Sequence, residues 1–342
     1  MKKLSLKISF FLLTIIIVYS ISYLIIPREL YQIMDYKYWV NTTKRINDFS
    51  KNNFDSKVIN NIVLGDSRSQ YGFNAKKNNA VNFSIGATTP VEGYYYLKNI
   101  LNITKLDTVY ISYGPFHIFH QDYFFYKTTY YNFVEDDFIS SIINKAKEVG
   151  DENYRVNLLN NRTINVFDYI YHKTGSLKQS KYAMDFYEYF RYGPLNMIRN
   201  LVSAGISNAD NKLGYERSPG ANRVLGENTK NIFTKEWEFE KKGLEDSEIN
   251  IIYLELMIDL CKKNNIEYYF IVLPIPQNSI KPDNKYFEKY FDILNSRFGK
   301  RVICDTMFYP NKYFQDESHL NDEGVEYFSN KVKGILVNKT IN

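Results

Sequence analysis

One short segment constrains the fold most: an apolar run, residues 61–64, that ends abruptly in Gly65-Asp66-Ser67. A buried parallel strand has this composition, and a glycine after it lets the backbone turn sharply. Ser67 would then lie at the carboxyl edge of a sheet, where open α/β sheets bind ligands. A helix that begins directly after it would offer amide donors to a developing negative charge.

The rest of the chain alternates between strand-like and helix-like segments. Further apolar runs predict strands over residues 80–86, 107–115, 266–274 and 301–305. Helical patterns lie between them, over about residues 90–103 and 246–264. This alternation is typical of a parallel sheet covered by helices on both faces. We therefore expect an α/β fold of three layers, α/β/α, with a five-stranded parallel sheet.

Near the other end of the chain, Asp316-Glu317-Ser318-His319 offers a base for the serine. Ser67 would attack an ester carbonyl, and His319 would take its proton and later return it to the leaving group. Asp316 would share the face of His319 if this stretch is helical, and would then fix the imidazole tautomer. The chain has only four histidines, so few other bases are available.

Each of these side chains also has a purely structural interpretation. Ser67 can cap a helix, as serines at strand-to-helix turns often do. Asp316 can cap the last helix, which would leave His319 exposed in its first turn. Asp66 is expected to brace the turn through hydrogen bonds to the backbone. The order of these residues and the strand before Ser67 favour the catalytic interpretation.

The same residues resemble the sequence blocks of SGNH/GDSL hydrolases. Gly65-Asp66-Ser67 matches the nucleophile block, Gly86 the glycine of the second block, and Asp316-x-x-His319 the last block. The resemblance covers roughly residues 58–119 and 246–340. It implies the α/β/α fold of that superfamily and a reaction that passes through an acyl-serine.

The resemblance also implies the roles of the site residues. Ser67, His319 and Asp316 would form the catalytic triad, and the amides of Ser67 and Gly86 would hold the oxyanion. The superfamily's third block normally adds an asparagine donor, but here the third strand ends in Ser112-Tyr113-Gly114-Pro115-Phe116-His117. Loss of one oxyanion donor can lower the rate about 100- to 1000-fold.

A turn with two histidines follows the third strand, His117-Ile118-Phe119-His120-Gln121-Asp122. Zinc sites need further ligands and no zinc motif stands nearby, so we predict neither a metal nor a cofactor. His117 is a candidate substrate contact or substitute oxyanion donor, or else an ordinary loop histidine. Four other residues at this edge are expected to line the site: Asp66, Arg68, Tyr113 and Gly114.

The amino terminus indicates the location. Residues 8–26 are apolar and uncharged, and are long enough to cross the hydrocarbon layer as one helix. Three lysines precede this segment, so the positive-inside bias places residues 1–7 in the cytoplasm and the rest of the chain outside. A cleaved signal peptide is the alternative. The long apolar stretch and the lack of an A-x-A-like site favour a single-pass anchor in the cell membrane.

The remaining chain is longer than the α/β domain requires. Residues 27–57 would form a juxtamembrane stalk, and residues 120–245 an aromatic-rich helical insertion that folds over the active-site edge as a lid. The net charge is +5 with no basic run after the anchor, which argues against a nucleic-acid partner. Cys261 and Cys304 are expected to be buried thiols, and a disulfide between them stays open.

Within the superfamily, Phe83-Ser84-Ile85-Gly86-Ala87-Thr88-Thr89-Pro90 and the single anchor resemble the membrane-tethered branch, of which DltD-like proteins are the best-known example. This resemblance implies a bacterial serine O-acyltransferase or esterase that modifies an envelope polysaccharide, glycolipid or teichoic-acid-like polymer. A membrane-embedded acyltransferase would be its partner. A carbohydrate esterase (deacetylase) and a non-catalytic scaffold that binds glycan or protein are the alternatives. The missing asparagine favours the scaffold.

Overall fold

The structure is a computed structural model that describes the chain in separate stretches. They are residues 60–86, 88–119, 134–151, 221–226, 248–277, 285–304 and 306–341, with Ile46, Thr128 and scattered positions from Lys7 to Ile21. The chain divides into two compact units, Met1–Tyr38 with Arg162–Ser207 and Trp39–Asn161 with Asn208–Asn342. All the elements named below belong to the second unit.

Three regions predicted from the sequence lie largely outside the described residues. They are the anchor at residues 8–26, the stalk at residues 27–57 and most of the insertion at residues 120–245. Among the positions that are described, no helix combines the length and apolar character that a membrane crossing requires.

Seven strands are described: β1 (Asn61–Gly65), β2 (Val81–Asn82), β3 (Thr108–Ser112), β4 (Glu267–Ile271), β5 (Ile275–Pro276), β6 (Val302–Ile303) and β7 (Phe308–Tyr309). Five of them form one parallel sheet in the order β2-β1-β3-β4-β6, and β5 pairs with β7 separately. The predicted α/β class and five-stranded parallel sheet are therefore confirmed. β1 lies between β2 and β3, with Gly65 opposite Ser112.

Helices flank this sheet. They are α1 (Ser67–Gly72), α2 (Pro90–Leu101), α3 (Pro115–Phe119), α4 (Asp136–Val149), α5 (Glu248–Lys263), α6 (Lys285–Phe298) and α7 (Asp322–Ile341). α2 starts with a capping box, in which the Thr89 hydroxyl accepts from the helix amides and Glu92 accepts from the Thr89 N–H. α4 lies within the predicted insertion and is capped at its carboxyl end by Gly150, whose φ is 76°.

Both faces of the sheet are buried, which explains why its strands appear in the sequence as unbroken apolar runs. On one face, the strands contribute to a core cluster with α7, whose members include Val63, Tyr110, Ile271, Phe328 and Val332. The alternate strand residues are also buried and point to the opposite face: Ile62, Leu64, Val109, Ile111 and Phe270. Helix α2 packs on β1 and helix α5 packs on β4, and the two helices also contact each other.

The two cysteines do not form a disulfide. Cys261 is buried in α5, and burial raises the pKa of its thiol to about 12. Cys304 is only half-buried and follows β6, whereas the sequence predicted that it would be buried within the strand. β6 is shorter than predicted because only Val302 and Ile303 pair with β4.

Gly65 is predicted to tolerate no side chain. A Cβ there would lie 2.0 Å from the Ser112 carbonyl oxygen and 2.3 Å from Ser69 Oγ. Gly65→Ala should lower the free energy of unfolding by about 1–3 kcal/mol, the usual cost of overpacking, and thermal unfolding of the full-length protein measures it. The matched control is Gly334→Ala on α7, where a Cβ meets nothing within 4 Å. Equal stabilities of the two variants would contradict this prediction.

Candidate active site

Ser67 is the first residue of α1 and is separated from the end of β1 by Asp66 alone. The helix cap is Asp66, whose Oδ1 accepts a hydrogen bond from the Arg68 N–H at 2.8 Å. The structural alternative, in which Ser67 caps the helix, is therefore wrong. At this position the Ser67 amide belongs to the first helical turn, whose N–H groups have no acceptor within the helix.

The Asp66 carboxylate is completely buried and joins two strand ends. While Oδ1 caps α1, Oδ2 accepts a hydrogen bond from the Gly114 N–H at 2.7 Å. Gly114 lies in the turn after β3, the neighbour of β1. Asp66 thus braces the turn through backbone hydrogen bonds and leaves Ser67 to present its hydroxyl.

The hydroxyl of Ser67 faces the imidazole of His319. Ser67 Oγ lies 3.0 Å from His319 Nε2. On the other side of the ring, His319 Nδ1 lies 3.1 Å from Asp316 Oδ1 and 3.0 Å from Asp316 Oδ2. The structure therefore brings these three predicted residues into one hydrogen-bonded row, and all three distances are within the reach that a nucleophile, its base and the orienting carboxylate need.

The stretch that carries Asp316 and His319 is a loop and not a helix. Asp316 Oδ1 accepts from the amides of Ser318 and His319, at 2.9 and 2.8 Å. A short antiparallel bridge between Phe314 and Leu320 closes the loop at its base. The condition for a shared helical face is therefore not met, and the carboxylate instead folds back on the backbone of its own turn.

The alternative in which Asp316 caps the last helix is also wrong. α7 begins six residues later, at Asp322. Asn321 Oδ1 accepts from the Gly324 N–H at 3.0 Å and so occupies the capping position. Asp316 is consequently available to His319.

The environment of Asp316 favours its ionised form. Burial raises the pKa of this carboxyl. Its hydrogen bond to His319, the charge of that ring and the hydrogen bonds from the amides of Ser318 and His319 together lower the pKa by more than burial raises it. The net result is a pKa below the ordinary value. Ser318 adds a hydroxyl 3.3 Å from Asp316 Oδ1 and 3.1 Å from His319 Nδ1. The Tyr71 ring meets the imidazole edge-on at 5.7 Å.

Gly86 lies beside Ser67, but its amide is already engaged. A Cβ at Gly86 would be 3.3 Å from Ser67 Cβ. The Gly86 N–H donates to Gln70 Oε1 at 2.7 Å, and Gln70 is itself buried. For Gly86 to serve as the expected oxyanion donor, Gln70 must release this amide.

The side chain of Tyr113 lies in the core behind the site. Its ring is buried, and its hydroxyl would be 2.2 Å from a Cβ placed at Gly93 on α2. Burial, followed by the charges of Glu92 and Asp66, raises the pKa of Tyr113 well above its ordinary value. Tyr113 therefore contributes packing below the Asp66 turn.

His117 lies on α3 and is nearly buried, with Nε2 3.6 Å from Asp66 Oδ2. Its backbone carbonyl accepts from Asn250 Nδ2 at 3.2 Å, which ties α3 to α5. His120 and Asp122, the other members of the metal interpretation, lie outside the described residues. Within the described stretches, no group of three or more metal-binding side chains occurs.

Sequence reasoning missed two residues of this site, and also a buried carboxylate whose charge acts on Tyr113 behind it. Gln70 and Tyr71 follow Ser67 by one turn of α1. This position in the sequence does not by itself predict that Gln70 bonds to Gly86 or that Tyr71 contacts His319. Glu92 is fully buried, and its carboxylate accepts from the Thr89 hydroxyl at 2.6 Å and from the Thr128 hydroxyl. The capping-box pattern of Thr89 and Glu92 was the one signal in the sequence.

A scan against models of protein families finds no match to this chain. A search of curated proteins likewise finds none similar in sequence.

The lowered pKa of Asp316 predicts a specific dependence of stability on pH. The folded state binds this proton less tightly than the unfolded state, so ionised Asp316 stabilises the fold above its ordinary pKa of 3.8. This stabilisation is lost as the pH falls through the lower, folded pKa. Thermal unfolding from pH 7 to 3 should show wild type losing stability relative to Asp316→Asn at the acid end. A constant difference between them would contradict the prediction.

Buried Glu92 should give the opposite dependence. Burial raises its pKa above the ordinary value of 4.5, against the weaker lowering by its hydrogen bonds to Thr128 and Thr89. Ionisation of Glu92 therefore costs stability as the pH rises from about that value through the folded pKa. Glu92→Gln mimics the protonated carboxyl. Its stability relative to wild type should increase with pH over this range, and a flat or falling difference would contradict the prediction.

Proposed function

We propose that this protein is an SGNH-like serine acyltransferase or ester hydrolase that forms an acyl-serine on Ser67. The observation that carries the proposal is the row from Ser67 Oγ to His319 Nε2 and from His319 Nδ1 to the Asp316 carboxylate. The five-stranded parallel sheet, with Ser67 just after the inner strand β1, supports the α/β/α arrangement of that superfamily.

The geometry supports a two-step acyl transfer. Ser67 Oγ attacks the ester carbonyl carbon, and its proton moves to His319 Nε2 while the carbonyl oxygen becomes an oxyanion. The oxyanion collapses, the ester C–O bond breaks, and His319 gives its proton to the leaving oxygen. Asp316 holds the Nδ1–H tautomer throughout and stabilises the imidazolium. A water or a hydroxyl of the acceptor then reverses these steps and restores Ser67.

The acceptor distinguishes a transferase from an esterase, because both share the acyl-serine. The apolar segment at residues 8–26 and the residues around Gly86 support an anchored, extracytoplasmic O-acyltransferase. Its acceptor would be an envelope polysaccharide, a glycolipid or a teichoic-acid-like polymer, and a membrane-embedded acyltransferase would supply the acyl group. A carbohydrate esterase would use water as the acceptor.

A non-catalytic scaffold is the second candidate, and two observations favour it. The Gly86 amide donates to Gln70 instead of facing an open oxyanion site. In addition, the turn after β3 has no asparagine. Against the scaffold stands the orientation of Ser67, whose hydroxyl meets His319 at 3.0 Å, since a binding surface needs no such alignment.

Covalent labelling separates the enzyme from the scaffold. The full-length protein is incubated with a fluorophosphonate probe, and the adduct is located by peptide mass spectrometry. We expect an adduct on Ser67 that is lost in Ser67→Ala and slowed at least about 1000-fold in His319→Ala, because the base activates the nucleophile. Ser296→Ala, which removes an exposed hydroxyl on α6, is the matched control and should label like wild type. A folded wild type without an adduct would favour the scaffold.

A further inference from the structure

The guanidinium of Arg68 lies across the ends of two neighbouring strands, directly after the nucleophile in sequence. Its Nη2 donates to the carbonyl oxygens of Leu273 and Pro274, which follow β4, at 2.7 and 2.8 Å. A Cβ at Gly114, in the turn after β3, would lie 2.8 Å from Nη1 and 3.5 Å from Cδ of this arginine. The space that a side chain at position 114 would need is therefore filled by Arg68.

The donors of Arg68 are only partly used. A guanidinium carries five N–H groups, and both of those on Nη2 are bonded to backbone carbonyls. Nε is shielded from solvent and has no acceptor among the described residues. The ion pairs of the described stretches do not include Arg68. Among the described residues, a half-buried positive charge thus remains without a carboxylate partner beside the Ser67 turn.

The pattern of used donors limits what Arg68 can bind. Bidentate binding of a carboxylate or phosphate uses two adjacent nitrogens of the guanidinium. The two possible pairs are Nε with Nη2 and Nη1 with Nη2, so both include Nη2. Because Nη2 is committed to Leu273 and Pro274, the remaining N–H groups can offer only single hydrogen bonds to a ligand oxygen. Single donors with positive charge suit an oxyanion that forms during the reaction better than a carboxylate held in the ground state.

We propose that Arg68 supplies an oxyanion donor in place of the asparagine that is missing from the turn after β3. This inference rests on the proposed function. When Ser67 Oγ attacks, the carbonyl electron pair moves to oxygen, and Nη1–H donates to that oxygen alongside the Ser67 amide. Arg68 stays protonated, so no proton is transferred. Gly114 is the residue that makes this possible, since any side chain there would displace the guanidinium.

The test measures the rate of fluorophosphonate labelling at Ser67 in the full-length protein as a function of probe concentration. Arg68→Met should lower the maximal labelling rate about 100-fold, in the range for loss of one oxyanion donor, with little change in the half-saturating concentration. Arg68→Lys should be intermediate. Added guanidinium ion should partly restore Arg68→Met, a rescue that a purely structural role would not give. Arg297→Met on α6 is the matched arginine control. Thermal unfolding shows that each variant is folded at the assay temperature.

Each outcome has one meaning. If the Arg68→Met variant is labelled at the wild-type rate, Arg68 is not an oxyanion donor, and the proposed function stays intact. Slow labelling with no rescue by guanidinium, or a change confined to the half-saturating concentration, would also overturn the role of Arg68, since this residue would then act in packing or in binding. A folded wild type without any label would overturn the proposed function and this inference together.

Discussion

The arrangement of the site depends on one buried carboxylate, that of Asp66. A carboxylate removed from water is costly unless hydrogen bonds replace its hydration. Here Oδ1 is bonded to the Arg68 amide and Oδ2 to the Gly114 amide, so the charge is satisfied by two backbone groups from different strand ends. These bonds fix the start of α1 against the turn after β3. Ser67 is carried by that start, and its position follows from them.

The second half of the site comes from a part of the chain 252 residues away. His319 is held by a turn that Asp316 builds around itself, because one of its oxygens accepts two backbone amides while the carboxylate also contacts the imidazole. The bridge between Phe314 and Leu320 anchors this turn. Asp316 therefore shapes the loop and orients the base with the same carboxylate, which couples the conformation of the turn to the charge of its side chain.

Much of the fold was accessible from the sequence because its signals are local. Apolar runs indicated the five parallel strands, and the predicted helix at about residues 90–103 corresponds to Pro90–Leu101. The positions of Ser67, Asp316 and His319 were also accessible, since strand context and residue order indicated them. The rest depends on contacts between distant segments. No local pattern showed that Gln70 would occupy the Gly86 amide, that Arg68 would fill the space at Gly114, or that the Asp316 turn would not be helical.

The central claim is that Ser67 is a nucleophile activated by His319. Its most direct test is to trap the acyl-serine itself. The full-length protein is mixed with p-nitrophenyl acetate, quenched in acid within seconds, and digested for peptide mass spectrometry. We predict an acetyl group on Ser67 in wild type that is absent from His319→Ala. A folded wild-type protein with no acetyl on Ser67, or with acetylation that does not depend on His319, would contradict the claim.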